Sequence, residues 1–128
     1  RQGMTPTGRS LVYLHELGYT VAVAEKWNPY ARIRQDLFGF IDVAAIRADV
    51  PGVLAVQCTT RANQAARATK IASFPAARTW LDCGNRIEIH GWAKVGPRGK
   101  RKLWEVKVTE ISLSMLSAGL GEGPAIEP

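Results

Sequence analysis

Cysteine is scarce in this chain: Cys58 and Cys83 are the whole complement in 128 residues, which excludes a disulfide framework. No CxxC pair or Cys/His cluster occurs, so structural zinc is excluded too, and both thiols are expected to be reduced. No apolar run approaches the roughly 20 residues of a membrane-spanning helix. No charged-then-apolar leader opens the chain, and the expectation is a soluble, cytoplasmic protein. Acidic residues are the scarcer charge, 11 against 17 Lys and Arg, giving a formal charge of +6. That excess favours polyanions, because binding to nucleic acid releases counterions. With 46% apolar residues the chain suffices for one core rather than two, and it contains no internal repeat.

What is present centres on Asp36 to Thr60. Two apolar runs, Leu37 to Ile46 and Val53 to Gln57, flank a segment containing Pro51-Gly52, a turn signal, so a buried hairpin is expected there. Asp42 interrupts the first run and Gln57 closes the second, positions where an unpartnered polar group is costly. Period-two alternation gives Asp42 one face with Phe38 and Phe40, and Gln57 one face with Ala55 and Thr59. The two polar side chains can therefore converge, while the Cys58 thiol points into the core and its carbonyl can still face the same point.

Upstream, residues 1 to 8 hold two Gly, one Pro and two Thr and read as a flexible lead-in. Ser10 is placed to cap a helix over Leu11 to Leu17 that Gly18 ends, with His15 and Glu16 on its flank. Tyr19 to Ala24 reads as a strand, with Glu25 following on the side of Val21 and Val23. Lys26 to Gln35 reads as a loop, in which Arg32 and Arg34 interleave with aromatics in a way that suits a grip on a nucleic-acid backbone.

Downstream, Ala62, Ala65, Ala66 and Thr69 form a small-residue stripe for packing on a sheet, and Asn63, Arg67 and Lys70 form a polar one. Ser73 is placed to cap a second helix that Gly84 closes. Arg86 to Val95 and Lys102 to Val108 alternate as a hairpin whose tip and approach carry Lys94, Arg98, Lys100, Arg101 and Lys102, a density of charge that suits phosphate. Trp92 and Trp104 are expected in the core, and His90 as a structural histidine. Ile111 to Leu116 extends the last strand or makes a short helix. One domain over residues 9 to 116, with a flexible tail from 117 to 128, completes an α/β class with element order αβββααββ.

These elements, with Asp42 in GFIDVAAI and Gln57-Cys58-Thr59 in LAVQCTT, resemble the PD-(D/E)XK nuclease superfamily, and within it the Holliday junction resolvase-like branch of archaea and phages. The resemblance covers about residues 9 to 108. It implies a restriction-endonuclease-like core, a central mixed sheet flanked by helices. It also implies a Mg²⁺-dependent endodeoxyribonuclease, with Mn²⁺ as the alternative ion, that cuts branched DNA as a homodimer in the cytoplasm, the host's if the chain is phage-encoded. Carried over, the metal ligands are Asp42, Gln57, the Cys58 carbonyl and Glu25, with Glu16 as the substitute for Glu25. Gln57 stands where the family has Glu, and Thr59 where it has Lys. Lys70, one turn beyond Arg67, is the candidate to supply the missing charge, making Glu25, Asp42, Gln57 and Lys70 the expected catalytic set. A non-catalytic nucleic-acid-binding module of the same fold and a nuclease for flap or duplex DNA are the alternatives.

Overall fold

The computed structural model describes residues 4 to 119. Helix α1 (Pro6–Glu16) begins within the segment expected to be a lead-in. Thr5 supplies the cap, its hydroxyl accepting from the Gly8 amide at 3.0 Å, and Pro6 takes the first helical position, where no amide is needed. Ser10 is therefore a buried helix residue and not the cap: its Oγ lies 2.9 Å from both His90 Nδ1 and Trp92 Nε1. Gly18 ends the helix at φ 94°, a conformation a side chain disfavours.

Strand β1 (Thr20–Val23) is followed by a separate two-stranded ribbon, β2 (Lys26–Asn28) and β3 (Ile33–Gln35), where a loop was expected. The ribbon closes because Asn28 Oδ1 accepts from the Tyr30 and Ala31 amides at 2.9 and 3.1 Å, an Asx turn that doubles the chain back. Then come β4 (Val43–Arg47), β5 (Val50–Thr60), a 3₁₀ turn (Arg61–Asn63), α2 (Gln64–Ala72), α3 (Pro75–Asp82), β6 (Arg86–Val95), β7 (Leu103–Ile111) and α4 (Leu113–Gly119). The ribbon is an addition to the expected order; β7 runs beyond Val108 to Ile111, and the short helix offered as one alternative for Ile111 to Leu116 follows as α4. Residues 120 to 128, most of the expected tail, lie outside the described residues.

Five strands form one mixed sheet in the order β1-β4-β5-β6-β7, in which β5 and β6 are parallel and the other neighbours antiparallel. The fold is α/β, as expected. Along β5 the alternation separates two cores. Leu54, Val56 and Cys58 pack with Leu14 of α1, whereas Ala55 packs with Ile71 of α2, Ala77 of α3 and Leu116 of α4. Gln57 and Thr59 share the face of Ala55 and are both buried.

The turn of the central hairpin is Ala48-Asp49, since Arg47 pairs directly with Val50; Pro51 and Gly52 lie within β5. Gly52 is there for another reason. It sits at φ 80°, and a Cβ on it would strike the Gly84 carbonyl, so the glycine permits close approach of two backbones. The expected stripe of Ala62, Ala65, Ala66 and Thr69 is exposed, and Gln64, Ala68 and Ile71 pack instead. Within α2 those small residues lie on the side away from Ile71, and the face with the larger apolar side chain is the one that packs. Ser73 caps no helix: its hydroxyl donates back to the Lys70 carbonyl at 2.6 Å, and Phe74 takes the cap position of α3. Trp92 is buried as expected, but Trp104 is 42% exposed, with the Arg9 guanidinium 3.8 Å above its ring. Among the described residues, no helix is long and apolar enough to cross a membrane.

Candidate metal centre

Asp42 stands just before β4, and its backbone is tied on both sides: its amide donates to the Val56 carbonyl at 3.0 Å and its carbonyl accepts from the Ala24 amide at 2.8 Å. Its side chain is buried and held by two donors, Gln57 Nε2 at 2.7 Å and the Cys58 amide at 2.8 Å, both on Oδ2. The convergence of Asp42 and Gln57 expected from alternation is thus present. Gln57 turns its amide nitrogen, not its oxygen, toward the carboxylate. Ligation through its oxygen would need the amide plane rotated about its terminal bond. The Cys58 carbonyl shares the edge of its amide, because N–H and C=O of one extended residue point the same way across a ladder. Its thiol is in the α1 core, and burial pushes its pKa up to about 12, leaving an inert core group.

A third acid, which the sequence reading missed, completes the group. Asp36 offers a carboxylate oxygen that lies, with those of Glu25 and Asp42, in a set all within 4.8 Å of one another. The expected first strand breaks here into a tight loop. Leu37 and Ile41 exchange amide–carbonyl hydrogen bonds of 3.1 and 3.0 Å, and the Gly39 amide donates to the Asp36 carbonyl at 3.0 Å. Gly39, at φ 87°, allows the reversal, and Phe38 is carried into the same left-handed region at φ 55°. The loop brings the aspartates at its two ends together. Two Asp flanking a short apolar stretch with a central Gly is the signal that could have found Asp36. Glu25 lies in the short link between β1, which ends at Val23, and β2, which starts at Lys26, and from there its carboxylate joins the cluster. Glu16 is exposed at the end of α1 and is not in the cluster.

The donors are hard oxygens on converging elements, the set that Mg²⁺ or Mn²⁺ takes. Electrostatics agree with that fit. Burial first, and then hydrogen bonding and charge from Asp36, hold the Asp42 carboxyl up at about 7, far above its ordinary 3.8. A buried carboxyl crowded by a second one keeps its proton to higher pH. Because the folded state holds this proton more tightly than the unfolded chain, rising pH costs stability. There is no penalty below 3.8, it grows through the window up to about 7, and above that it is complete. Relative to Asp42→Asn, metal-free protein is therefore expected to melt at lower temperature above that window, and the difference should vanish below it. Added Mg²⁺ or Mn²⁺ should raise the melting temperature more above the window, where no proton has to leave. A thermal-melt series in pH with and without chelator checks both slopes; a metal shift independent of pH would count against ligation by Asp42.

Lys70, at the end of α2, lines a polar cleft of about 440 Å³ with Arg34, Gln35, Asp36 and Gly39. The structure thus brings the proposed replacement lysine to the cleft that contains one of the three acids. Thr59 is buried and offers no charge. Arg34 is 3.7 Å from Glu25 and mostly exposed, and Arg32 is exposed at φ 58° in the turn of the ribbon. Arg67 is half-buried on α2 and is not among the residues lining the cleft. Lys94 pairs with Trp104 on the α1 face and so leaves the site. Arg98, Lys100, Arg101 and Lys102 are exposed at the β6–β7 tip. Since Ile89 pairs with Gln57, that tip stands roughly 20 Å farther along the strand, an arm beside the site rather than part of it. His90 is wholly buried, its Nε2 3.0 Å from Glu88, and acts structurally. A scan against models of protein families finds no match, and searches of curated proteins and of solved structures find none either.

Proposed function

We propose that this chain is a metal-dependent endonuclease that hydrolyses phosphodiester bonds in branched DNA, four-way junctions foremost. The observation that carries the reading is the convergence of Glu25, Asp36 and Asp42 within 4.8 Å, beside the Gln57-Cys58 segment of β5. Support also comes from the order of elements around it. Helix α1, the antiparallel strands β1, β4 and β5, helix α2 and then β6 follow the order of the resembled core, a helix, three antiparallel strands, a helix and a further strand.

Glu25, Asp36, Asp42 and the Cys58 carbonyl would hold the ion. A divalent ion in such a site polarises the phosphoryl oxygen and activates water for attack. The chain's own residues do the rest. Gln57 and the Cys58 amide fix the Asp42 carboxylate in place. Lys70 presents a cation to the charge that develops on the phosphate. Arg34 and Arg32 hold the backbone at the rim, and the basic β6–β7 tip takes phosphates farther along the substrate. Contacts of this kind position DNA without reading its bases, so shape selects the substrate.

One observation favours a second reading, a non-catalytic binding module. The Gln57 nitrogen already satisfies two carboxylates, at 2.7 and 3.3 Å, as a site without metal would require. Labelled junction, flap and duplex DNA incubated with Mg²⁺, Mn²⁺ or chelator separates the two. Cleavage that needs metal and is strongest on the junction is the expected result. Binding without metal-dependent cleavage of any substrate would establish the module instead.

A further inference from the structure

The two edges of the sheet are unlike. The β1 edge is four residues long, whereas β7 pairs with β6 over nine consecutive residues, from Leu103↔Val95 to Ile111↔Ile87, with no shift in register. An edge strand leaves half its amides and carbonyls unpaired, and long edges are normally blunted by charged side chains, proline, a bulge or a covering element. Strand β7 contains no proline and no bulge, no further strand pairs with it among the described residues, and its charges, Glu105, Lys107 and Glu110, are of both signs, so they select a partner strand as well as exclude one. Leu103, Trp104 and Val108 on it are 62%, 42% and 40% exposed. A long, regular, partly apolar edge of this kind is a template for another strand.

The residues of β7 specify which strand. When a second copy pairs antiparallel about a twofold axis perpendicular to the sheet, only residues on the same face can oppose one another, so one residue must face itself. Centred on Val106, Glu105 of each copy opposes Lys107 of the other, and Lys102, just before the strand, opposes Glu110. Trp104 meets Val108 and Leu103 meets Thr109. Moving the centre to Glu105 or to Lys107 sets like charges against each other. Within one chain Glu110 already pairs with Glu88, an unfavourable opposition that a lysine from a second copy would offset. Glu105 contacts Arg61 at 3.2 Å but remains 61% exposed, open to a further cation.

We propose that the chain forms a homodimer by antiparallel pairing of β7 with β7 of a second copy, centred on Val106, making one continuous sheet of two five-stranded halves. The axis puts both polar clefts on the same side of this sheet. Five strand spacings separate β5 from its counterpart, about 25 Å. The inference rests on the edge and its charges and holds whether or not the site cleaves DNA.

Charge reversal tests both the surface and the register, with mass measured by multi-angle light scattering across a concentration series. Unmodified protein is expected to be dimeric. Glu105→Lys and Lys107→Glu each create two like-charge oppositions per dimer and should weaken association about tenfold or more. Mixing the two variants in equal amounts restores both oppositions and should return the dimer. Unfolding curves confirm that each variant folds, since both side chains are exposed. A monomer at every concentration for the unmodified protein, single variants that dimerise unchanged, or a mixture that stays monomeric would each overturn the proposal.

Discussion

Asp42→Asn is expected to abolish metal-dependent cleavage and, in the same protein, to raise the melting temperature of the metal-free form. The two effects share one cause. The Asn oxygen can accept from Gln57 Nε2 and the Cys58 amide as Asp42 does, at 2.7 and 2.8 Å, while its NH₂ faces Asp36 in place of the carboxyl proton. The crowding that holds the Asp42 carboxyl at about 7 disappears, and with it a penalty of roughly 2 to 4 kcal/mol above that pH. The stability gain should vanish below 3.8, where Asp42 is protonated in both states. In the proposed site, losing the central anionic ligand is expected to forfeit several kcal/mol of charge stabilisation, roughly a thousandfold in rate. Single-turnover cleavage and thermal melts on the same sample check both arms. Asp42→Ala, which leaves a buried donor unpaired, should be destabilised instead. A variant Asp42→Asn that cleaves normally would remove Asp42 from the chemistry.

Lys70→Ala is the second large effect. The cation at the cleft is expected to act on charge that develops as the phosphate reacts, and removing one such group typically costs about a hundredfold to a thousandfold. The loss should appear in the single-turnover rate with DNA affinity little changed, and Lys70→Arg should recover part of it. Arg34→Ala, in contrast, should weaken binding and reduce its salt dependence more than it lowers the rate. If Lys70→Ala cleaves as fast as unmodified protein, the charge missing at Thr59 is supplied by another group.

Most of the sheet was legible because its residues obey short-range rules. Arg86 to Val95 alternates without interruption and becomes β6 over those very residues, and the two-residue period along β5 sends Gln57 one way and Cys58 the other, as read. The failures occur where the chain reverses over a few residues. Leu37 to Ile46 looks like one strand, and as a strand it would hold Asp36 roughly 20 Å from Asp42. The reversal at Gly39, with Phe38 forced to positive φ, erases that distance. Similarly, Pro51-Gly52 carries a turn signal, but its glycine answers to the Gly84 carbonyl of a loop 32 residues away in the sequence.

Composition and periodicity alone determined the α/β class, the burial of Asp42 and Gln57 side by side, the core position of the Cys58 thiol and the basic projection between β6 and β7. Those properties follow from alternation and from charge count, which act within a strand or over the whole surface. Tertiary structure decided that the acids number three, that Glu25 rather than Glu16 joins them, that Lys70 lines the same cleft as Asp36, and that β7 pairs on one side only among the described residues. Each of these depends on contacts between residues distant in the chain, and on loop closures whose φ values no local pattern specifies.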